Sequence, residues 1–170
     1  MPGRLLPCMM FTRGHAGHNV RDVRFEADFL RAALLVGLVR EPDVQSWAEE
    51  LLMAVADEGG QLTEVLLAPA ELTAIREALR PLSEPETPRE VGSALLSFML
   101  NDPAAATLSV ANQLRVLSLL RREAMVSEAA ADAIKLFEDR FMLASVNMRG
   151  EKAPTPEEMR AWLIAATADA

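Results

Sequence analysis

Apolar residues recur along this chain at spacings of three and four, and prolines or paired glycines break the pattern at roughly helix-length intervals. Val44, Trp47, Ala48, Leu51, Leu52 and Val55 show it most clearly, falling at i, i+3, i+4, i+7, i+8 and i+11. They predict a helix over 43–57 that stops at Gly59-Gly60, where glycine supplies left-handed backbone. Gln45, Ser46, Glu49, Glu50 and Asp57 fall on its opposite face. Upstream, Phe25, Phe29, Ala32, Val36 and Val39 form a stripe flanked by Leu30, Leu34, Leu35 and Leu38. A helix apolar on nearly every side is a central one, predicted here over 24–40 with Asp22 as N-cap and Pro42 as terminator.

The later segments follow the same logic. A short helix or turn is expected over 62–67, then a helix from Pro69 to Leu82 on Leu72, Ile75, Leu79 and Leu82. A polar loop, Ser83 to Pro88, precedes a capping box at Thr87-Pro88-Arg89-Glu90, which opens a helix to Leu100. After Asn101-Asp102-Pro103 a helix runs to about Glu123, in one or two pieces, with Ala111, Leu114, Leu117 and Leu120 inward. Ser127 caps the next, which reaches Ser145 along Ala130, Ile134, Phe137, Phe141 and Ala144. Residues 147–154 read as a linker. A second capping box, Thr155-Pro156-Glu157-Glu158, opens a final helix carrying Met159, Trp162, Leu163 and Ala166.

Seven or eight short helices and no strand make an all-α chain. Their short connections imply antiparallel neighbours in a single compact bundle over 21–146. Proline-marked helix pairs are the alternative, an α-solenoid, but no fixed repeat period supports it. The helix at 155–170 is then free to dock in cis or on a second subunit, as in a homodimer. Composition agrees, with 51% apolar residues, 5% aromatics, nine methionines and no tyrosine, which favours helix formers over strand formers.

Charge narrows the partners. Seventeen basic against 25 acidic residues leave a net charge of −8, which opposes nucleic acid or anionic lipid and favours a basic protein. No segment approaches the roughly 20 apolar residues of a membrane span. One cysteine, Cys8, forms no internal disulfide and fits a reducing cytoplasm. Residues 1–20 read as a disordered tail or an over-extended start, with Met9 or Met10 as alternative first residues.

Candidate chemistry is sparse. His15, His18 and Cys8 are of metal-ligating type, but their spacing matches no established zinc pattern, so no cofactor is expected. No phosphate loop or nucleophile elbow occurs. Glu26, near Asp22, reads as part of a solvated face, and Gly37 and Gly92 as helix positions that permit close packing. Asn112, Gln113 and Arg115 after Ser109 give a faint DNA-recognition pattern, and Arg115, Arg121, Arg122, Arg140 and Arg149 could gather on one side. Two features favour protein binding. One is the aromatic anchor on the last helix, Trp162 with Leu163 and Met159; the other is the acidic face of Glu49, Glu50 and Asp57. The expectation is a non-catalytic cytoplasmic interaction protein, in its most concrete form an immunity- or antitoxin-like binder of a basic effector. The alternatives are a DNA-associated regulator and a metal enzyme built on the His/Cys cluster.

Overall fold

In the computed structural model, which describes residues 20–54, 57, 59–83, 88–103, 105–146 and 152–168, every regular element is helical. Eight α-helices are present among those residues. They are α1 (Val20–Val36), α2 (Glu41–Ala54), α3 (Gln61–Leu67), α4 (Leu72–Leu79), α5 (Pro88–Asn101), α6 (Val110–Arg122), α7 (Glu128–Ser145) and α8 (Pro156–Ala168). Short 3-10 turns occupy Arg80–Leu82 and Ala105–Thr107. The all-α class is as the periodicity predicts. The helices group into two compact units, Met1–Pro85 and Glu86–Ala170.

In the first unit α1 is the central helix. Ala27, Phe29, Leu30, Ala32, Ala33, Leu34 and Val36 are all buried, over more than half of the helix circumference. It starts and stops earlier than the 24–40 expected. Asp22, expected before the helix, lies within the first turn of α1. Gly37, expected inside the helix, ends it instead with a φ of +75°. The Gly37 amide donates to the Leu34 carbonyl and the Leu38 amide to Ala33, at 2.9 Å for the latter. That pairing is a Schellman close, in which glycine takes the left-handed position and two orphan carbonyls are satisfied. Leu38 and Val39 then turn inward as buried residues. Pro42, expected to stop α1, sits in the first turn of α2, where its missing amide costs nothing.

Side chains then lock α1, α2 and α3 together. Asp43 accepts the Arg40 amide at 2.9 Å, the returning half of a capping box, and is itself buried. Gln45, placed by periodicity on the outer face, instead donates to the carbonyls of Leu66 (3.2 Å) and Ala68 (2.9 Å) at the end of α3. Glu26 is likewise no solvated acid: it is 4% exposed and accepts the Trp47 indole N–H at 2.7 Å. Helix α4 begins at Leu72 and not at Pro69, and Leu72, expected in the stripe, is 40% exposed. Ile75 and Leu79 carry the packing, both fully buried. Arg31 of α1 reaches the Ser83 hydroxyl at 2.8 Å, tying α1 to the end of the 3-10 turn.

In the second unit the turn between α6 and α7 rests on α5. Glycine at position 92 makes this possible, since a Cβ there would lie 1.7 Å from the Met125 carbonyl oxygen. The close-packing role expected of Gly92 is therefore its role. The turn is another Schellman close, with Ala124 donating to Arg121 and Met125 donating to Leu120 at 2.9 Å. Ala124 occupies the left-handed position with φ 55°, where a Cβ costs about 1–2 kcal/mol. Ala124→Gly removes that strain against a smaller entropic loss, so it should stabilise the unit by about 0.5–1 kcal/mol. A thermal melt that shows no rise, or a fall, would contradict the strained turn.

Ser109 caps α6 by accepting the Asn112 amide, and Ser127 caps α7 by accepting the Ala130 amide. Helix α7 packs less deeply than its stripe suggests. Ile134 is buried, while Ala130, Phe137, Phe141 and Ala144 are half-buried.

Candidate interaction surfaces

Helix α8 is closed onto its own unit. Met159 is fully buried and Leu163 nearly so, and α8 packs against α5. The Trp162 ring meets Phe137 of α7 edge-on, with centroids 6.0 Å apart and planes at 76°. Arg160 donates to the Leu100 carbonyl at the end of α5, at 3.3 Å. Met159, Trp162 and Leu163 thus pack in cis, one of the two dockings expected of this helix.

The capping box predicted at Thr155 is fully formed. The Thr155 amide donates to Glu158 at 2.8 Å, and the Glu158 amide donates to the Thr155 hydroxyl at 3.2 Å. Arg140 of α7 adds two further bonds to the Glu158 carboxylate, at 3.2 and 3.3 Å. The Thr155 amide, then Arg140, hold the Glu158 carboxyl below its ordinary value of 4.5. A depressed carboxyl pKa means stability present above the unfolded value and lost as pH falls through the folded one. The Trp162 indole NMR signal should therefore hold its position near neutrality and begin to shift only once the pH falls below the ordinary carboxylate value of 4.5. Glu158→Gln should flatten that acid limb; an unchanged limb would show that another carboxyl controls it.

Two of the five arginines that could form a basic side are paired with carboxylates. Arg121 pairs with Glu138 at 3.1 Å, with the Ser118 hydroxyl against the same carboxylate, and Arg140 is held by Glu158. Arg149 lies outside the described residues. Of the faint DNA-recognition pattern, Gln113 is buried and donates its amide to the Leu108 carbonyl at 3.0 Å, so it cannot read a base edge. Asn112 and Arg115 are exposed.

His15, His18 and Cys8 also lie outside the described residues. Among the described ones, no group of three or more His, Cys, Asp or Glu side chains is placed to hold a metal ion. No helix among them is long and apolar enough to cross a membrane.

The acidic face of α2 is the expected surface that the fold leaves open, with one exception. Asp57, expected on the outer face of α2, lies beyond its end and instead serves the first turn of α3, whose N-cap position is Gly60. The Asp57 carboxylate accepts the Thr63 hydroxyl at 2.7 Å and the amides of Thr63 and Leu62 at 3.0 and 3.2 Å. The Thr63 hydroxyl first, and those amides with it, lower its pKa. Glu49 and Glu50 remain exposed, on one strip with Ser46 and Met53. On α3 the exposed residues are Thr63, Glu64 and Leu67. The two helices run antiparallel, because Gln45 grips the end of α3 and Asp57 its start.

Periodicity alone missed how the charge is distributed. Between Arg40 and Arg76 there are eight acidic residues and no basic one, so 41–75 carries a charge equal to the chain's entire −8. The rest of the chain is balanced. A running count of charge along the chain would have exposed this acidic hairpin.

Compared with known proteins, the chain matches no protein-family model, no curated protein and no solved structure.

Proposed function

We propose that this chain is a non-catalytic, cytoplasmic helical module that binds a basic protein, in the manner of an immunity or antitoxin protein masking a basic effector. The observation that carries the reading is the confinement of the net charge to one segment, 41–75, with Glu49, Glu50 and Glu64 exposed on it. A field concentrated this way steers a cationic partner toward one face and speeds encounter, which an evenly spread charge does less well. The closed state of α8 fits the same reading, because it leaves the acidic hairpin as the charged face on offer.

Affinity purification of the full chain from its source cell, with identification of what elutes as salt is raised, tests this reading. A basic protein released by salt is expected. Partners that are uniformly acidic, or retention of a nucleic acid instead, would overturn it.

A further inference from the structure

We infer that the outer face of the α2–α3 hairpin docks a basic amphipathic helix of the partner. In this arrangement apolar residues of the partner seat on Met53 and Leu67, and its lysines or arginines meet Glu49 and Glu64. The inference rests on the interaction reading above and assigns it a place.

Three observations combine. Met53 and Leu67 are 78% and 76% exposed, whereas the other large exposed apolar residues range from 40% to 62%. Both are flanked by acids on their own helices: Glu49 and Glu50 stand four and three positions before Met53, and Glu64 three before Leu67. At those separations the side chains are neighbours on a helix surface. Finally, the hairpin has no cation of its own. The usual way to solvate an acidic helix face is to intersperse Lys or Arg at i+4, and 41–75 contains neither. Just upstream of the segment, Arg40 turns to Asp43 at 3.9 Å.

The occupant follows from charge. A second copy pairing face to face through a twofold would set the exposed acids of one hairpin against those of the other, which like-charge repulsion opposes. Phosphate-bearing surfaces are repelled for the same reason. A cationic helix with an apolar stripe satisfies both parts of the face, and the unbranched side chain of Met53 adapts to whatever shape it meets.

The probe is a synthetic amphipathic helix of leucine and lysine, about five turns long, with a leucine–glutamate peptide of the same pattern as control. Titration into the full chain is followed by calorimetry and by backbone amide NMR. The lysine peptide should bind and shift amides of 41–67, and Met53→Ser with Leu67→Ser should weaken it about tenfold. Both positions are surface sites, and melting curves confirm that the double variant stays folded. Four results would overturn the inference: equal binding of the glutamate peptide, indifference to the two substitutions, shifts confined to 86–170, or shifts at this face from protein concentration alone. Any of these would leave the purification result standing, so the place can fail while the module reading survives.

Discussion

Gly92→Ala is expected to cost the second unit about 3 kcal/mol, at the upper end of overpacking penalties. Judged by helix propensity alone, the substitution should help by about 1 kcal/mol, because glycine inside a helix is unfavourable. The structure reverses the sign. The added methyl would lie 1.7 Å from the Met125 carbonyl oxygen and 2.6 Å from its carbon. Those are backbone atoms, held by the Schellman close at Ala124, so they cannot rotate away as a side-chain tip would. Either α5 or the α6–α7 turn must move. Chemical denaturation of Gly92→Ala checks this, and a neutral or stabilised variant would mean that the turn does not rest on α5.

Leu163→Ala is expected to cost about 3 kcal/mol, with Met159→Ala similar. Both side chains are almost wholly removed from solvent, so truncation leaves a cavity between α8 and its neighbours. A helix merely tethered by residues 147–154 would respond to either change within about 0.5 kcal/mol, as surface sites do. The two cases also differ in spectrum. Loss of docking removes the edge-on contact of Trp162 with Phe137, and with it the ring-current shift of that pair. A small stability change with an unaltered Trp162 signal would return α8 to the role of a free, partner-seeking helix.

These cases show which features of the fold a linear pattern carries. Strong amphipathic stripes, capping boxes and prolines are local signals, and the helices at 88–101 and 156–168 were legible from them to within a residue or two. What the pattern lacks is the partner of each polar group. Glu26 looks solvated until Trp47 arrives from 21 residues along the chain, and Gln45 looks outward until α3 folds back to meet it. Gly37 was misplaced for a related reason. A glycine within an apolar run does not reveal whether it packs against a neighbour or ends the helix, because both uses need a missing Cβ.

The candidate surface was half legible. Trp162, Leu163 and Met159 have the residue types of a binding anchor, but those types equally suit a buried helix face, and packing decides between the two. Glu49 and Glu50 are exposed as their spacing predicts, while the Asp57 side chain is taken up by the first turn of α3. The sharper signal, eight acids without a cation over 41–75, was present in the sequence all along. Helical periodicity looks only at apolar spacing and is blind to it.

If the hairpin is the binding face, position should matter and total charge should not. Glu49→Gln, Glu50→Gln and Glu64→Gln remove three exposed carboxylates from the hairpin. Glu123→Gln, Glu128→Gln and Asp132→Asn remove three exposed carboxylates from the second unit, giving the same net charge. Measured by titration with the leucine–lysine peptide at one salt concentration, the hairpin set should weaken binding about tenfold and the matched set by less than about twofold. Equal losses in the two sets would mean that the protein acts only through its overall charge, and that the acidic hairpin is not a binding face.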